Sequence, residues 1–71
     1  MMRVCDLISK MPDSYVDITI NEYKGKHHTG RRYNIEKHSN DYTHIPEDVW
    51  YAEISMIVPY YDRISIEIEK E

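Results

Sequence analysis

Residues 53–69, EISMIVPYYDRISIEIE, decide how the rest of the chain must fold. In the second half Ile64, Ile66 and Ile68 alternate with Ser65, Glu67 and Glu69, the period of two that gives a strand one dry and one wet face. In the first half Ile54, Met56 and Val58 fall on one face with Ser55 on the other, and Ile57 points opposite to Met56. Pro59 has no N–H to donate and ends the ladder, which leaves Tyr60, Tyr61, Asp62 and Arg63 as the turn of a β-hairpin. A hairpin with one apolar face does not stand alone in water, so the remaining residues must supply at least one more strand and a cover.

The cover lies at the N-terminus. Val4, Leu7, Ile8 and Met11 are spaced i, i+3, i+4 and i+7, one stripe of a short helix over residues 3–11, which Pro12, Asp13 and Ser14 then close. Residues 15–22 alternate again, with Val16, Ile18 and Ile20 on one face and Asp17, Thr19 and Asn21 on the other. The two glycines, Gly25 and Gly30, fall in a loop, and Tyr33 and Ile35 mark a return strand from about Arg31 to Lys37. Residues 38–45 are polar and aperiodic. Pro46, Glu47 and Asp48 before Val49 and Trp50 read as the start of a helix of one or two turns, with Trp50 and Tyr51 against the sheet edge. The expectation is one α+β domain over residues 1–71: an N-terminal helix packed on a four-stranded, mostly antiparallel sheet that ends in the C-terminal β-hairpin.

Three features together, the helix closed by Met11-Pro12-Asp13, the Ile45-Pro46-Glu47 helix start and the 53–69 hairpin, resemble short proteins encoded by phages and prophages of Firmicutes-type bacteria. That resemblance implies a bacterial host cell as the setting. It also implies a non-enzymatic role against bacterial defence, either by binding a defence protein or by sequestering its nucleotide signal. It brings no catalytic residue with it.

Charge is the other clue. The chain carries −4 overall, which argues against a general nucleic-acid binder, yet residues 24–38 hold Lys24, Lys26, Arg31, Arg32 and Lys37 against Glu36 alone. That window is +4 and the remainder −8. The lone Cys5 excludes an intrachain disulfide and fits a reducing, cytoplasmic location. No apolar run approaches the roughly 20 residues of a membrane span, and Arg3, Asp6 and Lys10 interrupt the N-terminal stretch as no secretion signal would allow. So short a chain buries little, which favours a homo-oligomer.

The basic window suggests an anion site: Lys24, Lys26, His28, Arg31 and Arg32 on a glycine-containing turn to hold phosphate, with Tyr23, Tyr33 or Trp50 to stack on a base. A solvated loop that guards a sheet edge is the plainer reading of the same residues. A nucleotide-hydrolysing P-loop pattern is absent. His27, His28, His38, His44 and Cys5 have no metal-ligand spacing, so no metal or cofactor is expected. Cys5 is better read as a small apolar residue than as a nucleophile, and Glu67 with Glu69 as surface charge than as an acid–base pair. The seven tyrosines and one tryptophan suit half-wet surfaces and interfaces. The leading expectation is a non-enzymatic protein that sequesters a phosphorylated small molecule between subunits. The alternative is a protein inhibitor of a defence nuclease, with Asp17, Glu22, Asp48, Glu53, Glu67 and Glu69 docking onto a basic groove.

Overall fold

A computed structural model describes residues 2–11 and 16–70. The closure at Pro12–Ser14 and the strand start at Tyr15 lie outside the described residues. In chain order the elements are α1 (Val4–Ser9), β1 (Asp17–Lys24), β2 (His27–Ile35), α2 (Glu47–Trp50), β3 (Ile54–Pro59) and β4 (Arg63–Glu69). The order of elements agrees with the sequence reading, and the fold is α+β.

Two antiparallel hairpins make up the sheet, β1–β2 and β3–β4, and its strand order is β2-β1-β4-β3. The inner strands of the hairpins lie side by side and parallel, Ile18 beside Ile64 and Ile20 beside Ile66. The sheet is therefore mixed, and the expected mostly antiparallel sheet is corrected at this central pair. The reason is apolar content: β1 and β4 carry the strictest alternation, and placing both in the middle buries Ile18, Ile20, Ile66 and Ile68 to 2% exposure or less.

Two short helices share the cover that one was expected to provide. Val4 and Ile8 of α1, Val49 of α2 and Ile45 just before it join the sheet isoleucines in one buried cluster, with Leu7 and Met11 packed against it. Asp6 caps α1 by accepting the Arg3 N–H at 3.1 Å. The Val4 N–H donates to the Ala52 carbonyl at 2.9 Å and the Ile54 N–H to the Met2 carbonyl at 2.9 Å, so residues 2–4 are laced to the chain between α2 and β3. Cys5 is half-buried rather than sealed beneath the helix.

Two bulges reset the alternation. At the first, Ile54 pairs with Ile68 but Met56 pairs with Glu67, so Ser55 is one residue too many. Beyond it the phase inverts: Met56 and Val58 fall on the wet face and Ile57 on the core face, the reverse of the expected assignment. The second bulge lies in β2, where Thr29, Gly30 and Arg31 sit between His28, paired with Tyr23, and Arg32, paired with Asn21. Gly30 has φ of 97°, a backbone that a side chain would strain. β2 consequently begins at His27, not near Arg31, and the basic window is mostly strand. Its turn is only Gly25-Lys26, with Gly25 at φ of 63° in the first central position, as a type II′ turn asks.

Candidate functional site

Pairing sorts the charged and polar side chains of the hairpin onto two faces. On the face away from the helices stand Thr19, Asn21 and Tyr23 of β1, His28, Arg32 and Asn34 of β2, and Ser65, Glu67 and Glu69 of β4. Among the described residues no helix lies over this face. Asn21 is its hub, only 7% exposed. Its Oδ1 accepts from Arg32 Nε at 2.9 Å and from His28 Nε2 at 3.1 Å, and its Nδ2 donates to Ser65 Oγ at 3.2 Å. The Gly30 N–H donates to His28 Nδ1 at 2.8 Å, so that nitrogen is bare and Nε2 carries the proton given to Asn21. The Tyr23 ring meets the His28 ring edge-on at 5.1 Å. Arg32 spends Nε on Asn21, and among the described residues its two terminal nitrogens are committed to no protein acceptor.

Arg31, one residue earlier, points the other way. The β2 bulge sets it and Thr29 against Glu22, a carboxylate on the core face that is 5% exposed. Thr29 Oγ1 donates to Glu22 Oε1 at 2.8 Å and Arg31 Nη1 to Oε2 at 3.1 Å. Arg31 also forks onto Asp48 of α2, Nη1 to Oδ2 at 2.8 Å and Nη2 to Oδ1 at 3.2 Å, and its Nε donates to the Tyr33 hydroxyl at 3.0 Å. These bonds raise the Arg31 pKa still further above its ordinary value, Asp48 first and Tyr33 second, and the Arg31 hydrogen bonds hold the Asp48 carboxyl below its usual value. Every nitrogen of the guanidinium is occupied. A groove of about 720 Å³ opens beside this group, with Glu22, Arg31, Asp48, Tyr51, Ile54 and Ile68 among its lining. Its charged lining is Glu22, Asp48, Glu53 and Glu69 against Arg3, Arg31 and Lys70, and with Arg31 spent on carboxylates that balance does not favour an anion.

The expected ligand set is thus divided. Tyr23, His28 and Arg32 come together on the open face, whereas Arg31 and Tyr33 form a structural tie on the other. Lys24 and Lys26 are exposed on either side of Gly25, whose N–H is taken by Glu69 Oε1 at 2.7 Å and is not available to a phosphate. Trp50 is half-buried in α2 and stacks on Tyr42 at 5.3 Å between ring centroids. The acidic set is divided too: Glu22 and Asp48 serve Arg31 and Asp17 Oδ1 accepts the Lys37 N–H at 2.8 Å, while the exposed Glu53 meets Arg3 only through a backbone β-bridge. Asn21, Asn34 and Ser65 are the members that the sequence reading missed. They occupy the wet phase of ordinary strands, and nothing in a local pattern marks one of them as a hub. Among the described residues no three His, Cys, Asp or Glu side chains converge as metal ligands, and no helix is long and apolar enough to cross a membrane.

A pH test follows for the Arg31 tie. Asp48 has a lowered pKa when folded, so its contribution to stability is complete above the ordinary carboxylate value and is lost as pH falls from about 4 towards the folded value. Melting midpoints of wild type and Asp48→Asn are expected to differ near neutral pH and to converge as pH falls through the lowered folded-state value of Asp48. A gap that persists unchanged in acid would show that the ion pair contributes nothing.

No protein-family model matches the chain, and no curated protein or solved structure matches it significantly.

Proposed function

We propose that this protein is a non-enzymatic binder whose ligand site is the open face of the sheet, and that it takes a small nucleotide-like molecule. The observation that carries this reading is the pose of Arg32: Asn21 fixes its Nε, and the two terminal nitrogens remain as a fork of the kind that grips phosphate oxygens bidentately. Lys24 and Lys26 at the neighbouring hairpin end add an attractive field for an anion. Glu67 flanks Asn21 on the opposite side from Arg32, two strand spacings or roughly 10 Å away. A phosphate on Arg32 and an amino-bearing base near Glu67 would span that interval, and the half-buried Tyr23 ring offers a stacking surface. The phage resemblance would make such a ligand a nucleotide signal of a bacterial defence system.

Thermal shift with a panel of nucleotides and inorganic phosphate tests the site. A nucleotide at 100 times its dissociation constant adds about 2.7 kcal/mol of stability, and Arg32→Ala is expected to abolish the gain while leaving the unliganded midpoint nearly unchanged. Glu67→Gln should weaken amino-bearing bases more than others. If no member of the panel raises the wild-type midpoint, or if Arg32→Ala responds as wild type does, the site is not there.

A further inference from the structure

Strand register sets four side chains of the open face in one line across the sheet. Arg32 of β2 is paired with Asn21 of β1, Asn21 with Glu67 of β4, and Glu67 with Met56 of β3. Directly paired residues share a face, so all four stand on the side that no helix covers among the described residues. The extra residue at Ser55 is what brings Met56 into this line, where it is 53% exposed; an unbroken ladder would have paired it with Ile66 and turned it to the core.

Two members of the line have binding capacity left over. The terminal nitrogens of Arg32 are one. The carboxylate of Glu67 is the other: the residue is half-buried and its backbone carbonyl takes the Ser55 hydroxyl at 3.0 Å, but among the described residues its side-chain oxygens accept no hydrogen bond and join no ion pair. Glu69, the next carboxylate on this face, is already bound to the Gly25 N–H. Asn21 stands between Arg32 and Glu67 and keeps the two charges apart, so neither neutralises the other.

An ionised carboxylate only accepts, and its two oxygens suit two donors set side by side. Among the common nucleobases guanine alone offers that pair, the N1–H and the 2-amino group on one edge. Adenine and cytosine place an amino group next to a bare ring nitrogen, whose lone pair would face the second carboxylate oxygen; uracil and thymine offer one N–H between two carbonyls. Length points the same way. Arg32 and Glu67 are two strand spacings apart, roughly 10 Å, and a purine carries its donor edge one fused ring farther from the sugar than a pyrimidine does. Met56, directly across from Glu67, closes the far end of the line with a thioether, which packs favourably against aromatic rings and shields the bonds at Glu67 from water.

We propose that the open face is a guanine nucleotide site, in which Arg32 holds the phosphate and Glu67 accepts the N1–H and the 2-amino group of the base. The assignment rests on the open face being the phosphate site proposed for it, and narrows the ligand from any amino-bearing base to one. It also gives an exposed methionine on the wet face of β3 something to cover.

Isothermal titration calorimetry with guanosine, inosine and adenosine 5′-monophosphates and with ribose 5-phosphate decides it. The guanine nucleotide is expected to bind wild type tightest. Inosine monophosphate, which keeps the N1–H but lacks the 2-amino group, should bind about 10-fold more weakly or worse, the cost of one hydrogen bond to a charged group, and the adenine nucleotide no better than that. Glu67→Gln should reverse the order of guanine and adenine, because a carboxamide both donates and accepts and so matches the adenine edge, while the affinity for ribose 5-phosphate stays the same. Ribose 5-phosphate bound through Arg32 with the guanine nucleotide no tighter than the other two, or a guanine preference that survives Glu67→Gln, overturns the guanine assignment and leaves the phosphate site standing. Binding of neither the guanine nucleotide nor ribose 5-phosphate, or undiminished binding by Arg32→Ala, overturns both.

Discussion

Arg31→Ala is expected to lower the melting midpoint by roughly 12–24 °C, while Arg32→Ala, its neighbour in sequence, moves it by only a few degrees. The first figure follows from a loss of about 3 kcal/mol, at the low end for breaking a buried ion pair, with about 4–8 °C per kcal/mol in a domain of this size. The low end applies because the Arg31 side chain is 34% exposed, whereas that of Glu22 is 6% exposed and would keep only Thr29 as a partner. Lysine should not rescue the loss, since one ammonium does not reproduce the fork on Asp48 together with the bonds to Glu22 and Tyr33. The double replacement Arg31→Met with Glu22→Leu should regain most of it, because the penalty comes from an orphaned buried charge rather than from the absence of the pair. Equal melting midpoints for Arg31→Ala and Arg32→Ala would refute the division of the basic window into a structural arginine and a ligand-facing one.

That division shows what the sequence could and could not tell. The alternation of Ile18 and Ile20, and of Ile64, Ile66 and Ile68, is a local signal, and both strands formed where it placed them. Which strand pairs with which is not local. The parallel contact of β1 with β4 comes from both being the most apolar strands available for the centre, a competition among all four. Bulges are harder still, because one extra residue at Ser55 leaves no mark in an apolar–polar pattern yet moves Met56 to the opposite face. The opposition of Arg31 and Arg32 was within reach: both fall in the expected return strand, where consecutive residues point to opposite faces, and only grouping them with the glycine turn as one phosphate site hid it. The core-side position of Glu22 was also within reach, since period two sets it in phase with Ile18 and Ile20; its partners were not. A glutamate at the end of an alternating run looks like surface charge until a bulge on the facing strand delivers Thr29 and Arg31 to it.

Ile66→Ala should be the most damaging single change in the core, costing about 2–5 kcal/mol, against about 0.5–1.5 kcal/mol for Ile66→Val. Ile66 is fully buried in the central strand β4, beside Ile20 on one side and Ile57 on the other, and joins Val4, Ile8 and Val49 from the helical layer in one cluster. Backbone ladders on both sides hold the strand in place, so the space left by the lost carbons does not close and the cavity penalty adds to the transfer loss. A domain of this length has a total stability of about 4–10 kcal/mol, so the alanine variant should be partly unfolded at 37 °C where the valine variant is folded. Ile57→Ala supplies the contrast, for it is the same chemical change at a side chain 44% exposed, and it should cost little. Urea titrations of the three variants against wild type measure these differences. An Ile66→Ala midpoint no lower than that of Ile57→Ala would mean that the two central strands do not carry the core.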